Sequence, residues 1–279
     1  MKLLNFAVRG RASCGALASG GVVDLGARLG GGASDLLGLL RSSATELAHA
    51  QAVIESGVRD YALDEVRLLG PTGRTRYFCI GVNYPERNEE YRDGSERPRY
   101  PSVFMRTHTS FSAPGEPLVR PRESQQLDYE GEIVVVIGRG GRRIRESQAL
   151  EHVFGYTCGN EGSVRDWLRH AKFNVTQGKN FDRSGSLGPW IVTTDEIGVG
   201  PMRVTTRVNG EVRQDDTSDR MLFPIPYLIA YLSSFCTLEP GDVIFSGTPS
   251  GAGARFDCSM ITQPLGATSA VTSQSEIKP

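Results

Sequence analysis

The chain has 279 residues, and 31 Lys and Arg against 32 Asp and Glu leave a formal net charge of -1. A near-neutral chain offers no field for nucleic acid or an anionic membrane, so binding to either is not expected. Cys14, Cys79, Cys158, Cys236 and Cys258 stand singly with no Cys-x-x-Cys, and no leader pattern or membrane-length apolar run occurs, so a cytoplasmic protein is expected.

In chain order, Lys2–Val8 and Gly21–Leu25 read as strands, and Ala33–Ser56 carries apolar residues at helical spacing. Residues 1–70 are therefore expected to form a small N-terminal α/β domain. Gly70-Pro71-Thr72-Gly73 reads as a turn and boundary, and Tyr77–Val82 opens a second unit spanning residues 71–257. Asn83–Pro101 is polar and closed by prolines, so it reads as a long loop with a short helix near Glu86–Tyr91; long loops are often functional.

Leu127-Asp128-Tyr129-Glu130-Gly131-Glu132 runs straight into the apolar, β-branched Ile133–Ile137, the pattern of a buried strand. Side chains two apart share a strand face, so Glu130 and Glu132, with Asp128 behind them, would set carboxylates side by side at the mouth of a hydrophobic sheet. Like charges held there need a cation, and oxygen ligands favour Mg²⁺, Mn²⁺ or Ca²⁺ over zinc. The bland alternative is an acidic strand end in solvent.

A 146–152 helix, a 153–158 strand and a helix from Ser163 to His170 are expected next. Gly159–Asp166 would place Glu161 at that helix start, where it is either a cap or a metal ligand. Gln177–Asp182 reads as a Gly-flanked loop carrying Lys179. Strands follow at Trp190–Thr194 and Met202–Asn209, with Asn209-Gly210 as a type I′ hairpin turn, then a helix Ile225–Phe235 and a strand Val243–Ser246. Ser246–Gly253 is a glycine-rich turn whose N–H groups and Thr248 hydroxyl suit a carboxylate; it lacks the ending of a phosphate loop.

Taken in order, Gly81-Val82-Asn83-Tyr84, Leu127–Glu132, Asn160–Asp166, Gly178-Lys179, Leu187-Gly188-Pro189, Val208-Asn209-Gly210-Glu211 and Leu238–Gly253 resemble the fumarylacetoacetate hydrolase family, on the branch of 2-hydroxyhepta-2,4-diene-1,7-dioate isomerases and acylpyruvate hydrolases. The resemblance covers roughly residues 1–257. It implies a β-dominated α+β fold, a mixed β-roll catalytic domain after a small N-terminal domain, a homodimer, and one divalent metal per subunit. It implies Glu130, Glu132 and Glu161 as metal ligands, Lys179 facing the reacting enolate, and Thr248, Gly247, Arg165 and Tyr84 binding a 2-oxo acid substrate.

The chain departs from the family pattern in four places. Arg87 and Glu90 occupy the lid spacing where many members have His-x-x-Glu; arginine is no base at neutral pH, so Arg87 is either part of a weakened water-activating pair or a clamp for a second carboxylate. Glu161 stands where Asp is common, and Leu168 where glutamine is often found. Residues 258–279 form an atypical Ser/Thr-rich tail in place of closing strands, which would leave a sheet edge open. His108 and His170 are candidate replacement bases. The expected activity is metal-dependent C–C bond hydrolysis of 2-oxo or enol dicarboxylic acids in aromatic catabolism, with isomerase, hydratase or decarboxylase chemistry, or a degenerate non-catalytic homologue, as alternatives.

Overall fold

The computed structural model describes residues 1–18, 20–30, 35–86, 98–168, 170–171, 174–198, 200–253 and 274–278. Arg87, Glu90, most of the helix expected near Glu86–Tyr91 and most of the tail lie outside them. The strands are β1 Lys2–Val8, β2 Arg11–Ala18, β3 Gly21–Asp24, β4 Arg67–Leu69, β5 Tyr77–Ile80, β6 Val103–Arg106, β7 Phe111–Ser112, β8 Leu127–Asp128, β9 Gly131–Ile137, β10 Val153–Asn160, β11 Ser163–Val164, β12 Gly185–Leu187, β13 Ile191–Thr193, β14 Arg203–Val208, β15 Glu211–Thr217, β16 Val243–Phe245 and β17 Gln274–Lys278.

Among the described residues, twelve strands form one mixed sheet whose main path runs β3-β2-β1-β13-β10-β9-β16-β5-β6. The fold is a strand-dominated α+β architecture. β9 lies inside this sheet, between β10 and β16, and every one of its residues is buried. Ile133, Val135 and Ile137 enter one apolar cluster with Leu228 and Ile229 of the helix Ile225–Phe235, while Val134 packs with Tyr77 and Phe245 on the other side. Burial on both faces explains why the run is continuously apolar rather than alternating. Each such side chain contributes about 1.5–3 kcal/mol on burial. That anchoring fixes the acidic start of the strand against the end of β10, where Glu132 pairs with Gly159 and Gly131 with Asn160.

The helix Ile225–Phe235 falls where its 3.6-residue spacing predicts, and Asn209 and Gly210 turn the β14–β15 hairpin with φ of 52° and 83°, as a type I′ turn requires.

Other segments differ from expectation. Residues 11–18 form an unanticipated strand, and the 33–56 helix is split into Leu36–Leu40 and Ala44–Glu55, because Ser43 caps the second helix in a reciprocal box with Glu46. The helix expected from Ser163 to His170 is replaced by β11 and a 3-10 turn at Arg165–Trp167. Lys179 ends a short helix, Thr176–Lys179, rather than sitting in a loop. β17 pairs antiparallel with β14, giving a small sheet β15-β14-β17, so the edge of β14 is covered where an open one was expected. The main sheet also runs across residue 70, since β1 pairs with β13.

Candidate metal centre

Glu130, Glu132 and Glu161 converge, each offering a carboxylate oxygen within 4.8 Å of the others, and all three are buried at 1–3% exposure. Three chain features bring them together. β8 and β9 are interrupted at Tyr129-Glu130, where Glu130 N donates to Asn160 Oδ1 and its carbonyl accepts from Glu161 N. Glu132 follows on β9, facing the end of β10. Glu161 comes immediately after β10, so a single strand pair supplies the whole set.

Three cations surround these acids. Lys179 Nζ lies 2.7 Å from Glu130 Oε2 and 2.6 Å from Glu161 Oε2, bridging two of the three carboxylates. Arg165 donates to Glu130 Oε1 at 2.5 Å and to Asp128 Oδ2 at 2.6 Å. Arg106, whose side chain is fully buried, donates to Glu161 Oε1 at 2.9 Å. Glu161 is therefore held by side chains and not by the helix start anticipated for it. Asp128, the acid behind the pair, is committed to Arg165.

Among the described residues, four carboxylates thus face three cations. Among the described residues Glu132 is the acid without an ion pair; its carboxylate accepts the Gly247 N–H at 2.7 Å. Burial first, then the charges of Glu161 and Glu130, push the Glu132 carboxyl well above the usual carboxylate range, and burial also raises Glu161 against the pull of Lys179 and Arg106. Three enclosed carboxylates, ionised as a ligand set requires, supply hard-oxygen donors that fit a divalent cation such as Mg²⁺ or Mn²⁺.

The remaining expected residues divide. Lys179 and Arg165 are at the centre. Gly247 is there too, with φ +99, but its N–H is directed to Glu132 rather than toward a substrate carboxylate. Thr248 is near, yet its hydroxyl donates to Gly131 O at 2.9 Å and accepts from Gln214 Nε2 at 2.7 Å, so its one proton is spent inside the protein. Tyr84, expected at the substrate, has no exposed surface and packs in the apolar cluster with Ile80 and Ile133; its hydroxyl has no hydrogen-bond partner among the described residues.

The histidines lie elsewhere. His108 is exposed and lines a separate cavity of about 510 Å³ with Arg67, Arg74 and Glu116. His170 is exposed and stacks on Trp167 at 4.2 Å. His152 bonds Arg139. Leu168 follows the 3-10 turn and packs against Gly178. Sequence reasoning missed Arg106 and Gln214. A lone arginine at a strand end and a glutamine in a polar strand carry no local signal of burial.

A mixed sheet here encloses three converging carboxylates that could hold a metal ion, two of them bridged by a lysine. Residues 76–275 match the family model described as fumarylacetoacetate (FAA) hydrolase C-terminal, and the chain belongs to the fumarylacetoacetate hydrolase family. It is 41% identical over 208 residues to oxaloacetate tautomerase YisK of Bacillus subtilis (strain 168), covering 72% of this chain and 68% of that protein. It is 39% identical over 176 residues to the 4-hydroxyphenylacetate degradation bifunctional isomerase/decarboxylase of Salmonella dublin, covering 62% of this chain and 40% of the relative. The fold superposes on maleylpyruvate hydrolase from Sphingobium sp. SYK-6, solved with manganese (II) and pyruvate, at a TM-score of 0.74 and 25% identity, covering 91% and 90% of the two chains. These relatives are enzymes of four reaction types: tautomerase, isomerase, decarboxylase and hydrolase.

Proposed function

We propose that this chain is a divalent-metal-dependent enzyme that moves a proton at the carbon next to the keto group of a 2-oxo dicarboxylic acid, as a keto–enol tautomerase or isomerase. The observation that carries the reading is Lys179 bridging two of the three converging carboxylates, which supports a role for its ammonium beside an ion held there, stabilising an enolate oxygen. A Mg²⁺ or Mn²⁺ ion held by Glu130, Glu132 and Glu161 would supply Lewis-acid charge for a bound 2-oxo acid. Lys179 Nζ would donate a hydrogen bond to a developing oxyanion. Arg165, partly buried and paired with Asp128 and Glu130, holds Glu130 in place from the side opposite Lys179. None of the four histidines hydrogen-bonds the carboxylates, so no imidazole is in place to activate water. That observation puts proton transfer ahead of the hydrolysis placed first on the sequence.

Hydrolysis of a C–C bond is the second reading, supported by the likeness to a hydrolase solved with manganese and pyruvate. A homodimer and a cytoplasmic location belong to this proposal as well, the first open to light scattering. The test is oxaloacetate keto–enol interconversion followed by the enol's ultraviolet absorbance, beside a panel of acylpyruvates, with Mg²⁺ or Mn²⁺. The expected result is catalysed tautomerisation that falls at least about 100-fold in Glu132→Gln. Cleavage of acylpyruvates into two acids, with no effect on tautomerisation, would transfer the assignment to hydrolysis. A metal-loaded protein inert on both would mark a degenerate homologue.

A further inference from the structure

Behind the carboxylates lies a closed circuit of buried hydrogen bonds. Gly131 N donates to Gln214 Oε1 at 2.9 Å, and Gln214 Nε2 donates to Thr248 Oγ1 at 2.7 Å and to Pro249 O at 2.8 Å. Thr248 Oγ1 closes the ring by donating to Gly131 O at 2.9 Å. The backbone N–H and C=O at Gly131 and the C=O at Pro249 force the orientation of the amide, so each side of the circuit has one donor and one acceptor. Gln214 is 1% exposed, the one buried residue of β15, and opposes Thr206 across the hairpin.

Gly131 separates two metal-ligand candidates, Glu130 and Glu132. The residue before Thr248, Gly247, gives its N–H to Glu132 Oε2. One glutamine side chain therefore ties the strand that carries two carboxylates to the turn that aims one of them. We infer that Gln214 is a positioning residue of the metal centre: its amide locks Glu130-Gly131-Glu132 to the Gly247–Pro249 turn and fixes the Glu132 carboxylate for the ion. The inference rests on the metal-centre reading above. Groups of this kind, which orient a ligand without touching the metal, typically alter metal affinity by about 10- to 100-fold when removed.

The test is a titration of Mn²⁺ into the metal-free full-length protein, without substrate, by calorimetry and electron paramagnetic resonance. Gln214→Met keeps length and removes both hydrogen-bonding ends; its Mn²⁺ Kd is expected to rise about 10- to 100-fold with a broadened Mn²⁺ spectrum. Thr248→Val is expected to do the same from the other side of the circuit, and it provides the reading if Gln214→Met does not fold. Thr248→Ser, which keeps the hydroxyl, should stay close to the wild-type Kd. Ser233→Ala removes a buried hydroxyl of the helix Ile225–Phe235 that accepts from Ile144 N, and serves as the control for simple destabilisation: a lower Tm with an unchanged Kd. Folded Gln214→Met or Thr248→Val with wild-type Kd and spectrum overturns the inference and leaves the metal centre standing. A wild type that takes up no Mn²⁺ overturns the metal reading and the inference together.

Discussion

Arg106 occupies the interior as a fully satisfied cation. Its guanidinium donates to Glu161 Oε1, Gly162 O, the Ser110 hydroxyl and carbonyl, and Ser184 Oγ, and it lies 4.6 Å above the Phe111 ring. Breaking a buried pair leaves the partner charge uncompensated, so the loss exceeds what the attraction alone contributes. Arg106→Met is expected to lower the unfolding free energy by about 3–5 kcal/mol, read from the urea midpoint with m unchanged. A shift under about 1 kcal/mol would place Glu161's support on Lys179 alone. Glu130 and Glu132 were legible from their spacing ahead of an apolar run, whereas Arg106 was not: nothing local distinguishes an arginine that will be enclosed by Ser110, Gly162 and Ser184 from one on the surface.

At the scale of elements, the readable parts were those whose side chains repeat. Ile225–Phe235 declares its period, and β9 its unbroken β-branched run. β2 does not, because Arg-Ala-Ser-Cys-Gly-Ala-Leu-Ala has little β-branched content and owes its strand to pairing with β1 and β3. Ser163–His170 misled for the opposite reason: its residues suit a helix, but Ser163 and Val164 pair with β8 and stop one from forming. Packing between elements sets its own demands. A Cβ on Gly131 would lie 1.8 Å from Thr206 Oγ1, where the β14–β15 hairpin covers β9. Gly131→Ala is expected to cost at least about 1–3 kcal/mol through overpacking, with part recovered in Gly131→Ala/Thr206→Ala; thermal unfolding of the two variants measures both. No recovery in the double variant would point away from this contact.

Over the whole molecule, the raised carboxyls tie stability to pH. Glu132 and Glu161 hold protons in the folded state above the ordinary carboxylate value, so between that value and their folded ones the native chain binds more protons than the unfolded chain. Metal-free stability therefore falls as pH rises through that window. Metal binding needs the ionised forms and releases those protons, so affinity moves the other way. Differential scanning calorimetry between about pH 5 and about pH 8 should show the metal-free Tm declining while the gain from Mn²⁺ grows. A Mn²⁺ gain that shrinks with pH would exclude these carboxylates as the ligands.

The lysine between Glu130 and Glu161 has a consequence for how such a chain matures. A cluster of acids in a sheet interior would ordinarily resist burial until an ion arrived, making folding hostage to metal supply. Here a cation on a four-carbon tether comes with the polypeptide itself and offsets part of that cost without any ion. An ion held by Glu130, Glu132 and Glu161 would then share those two carboxylates with a charge the chain already carries, so its uptake would be a competition with Lys179 rather than the filling of a bare acidic hole.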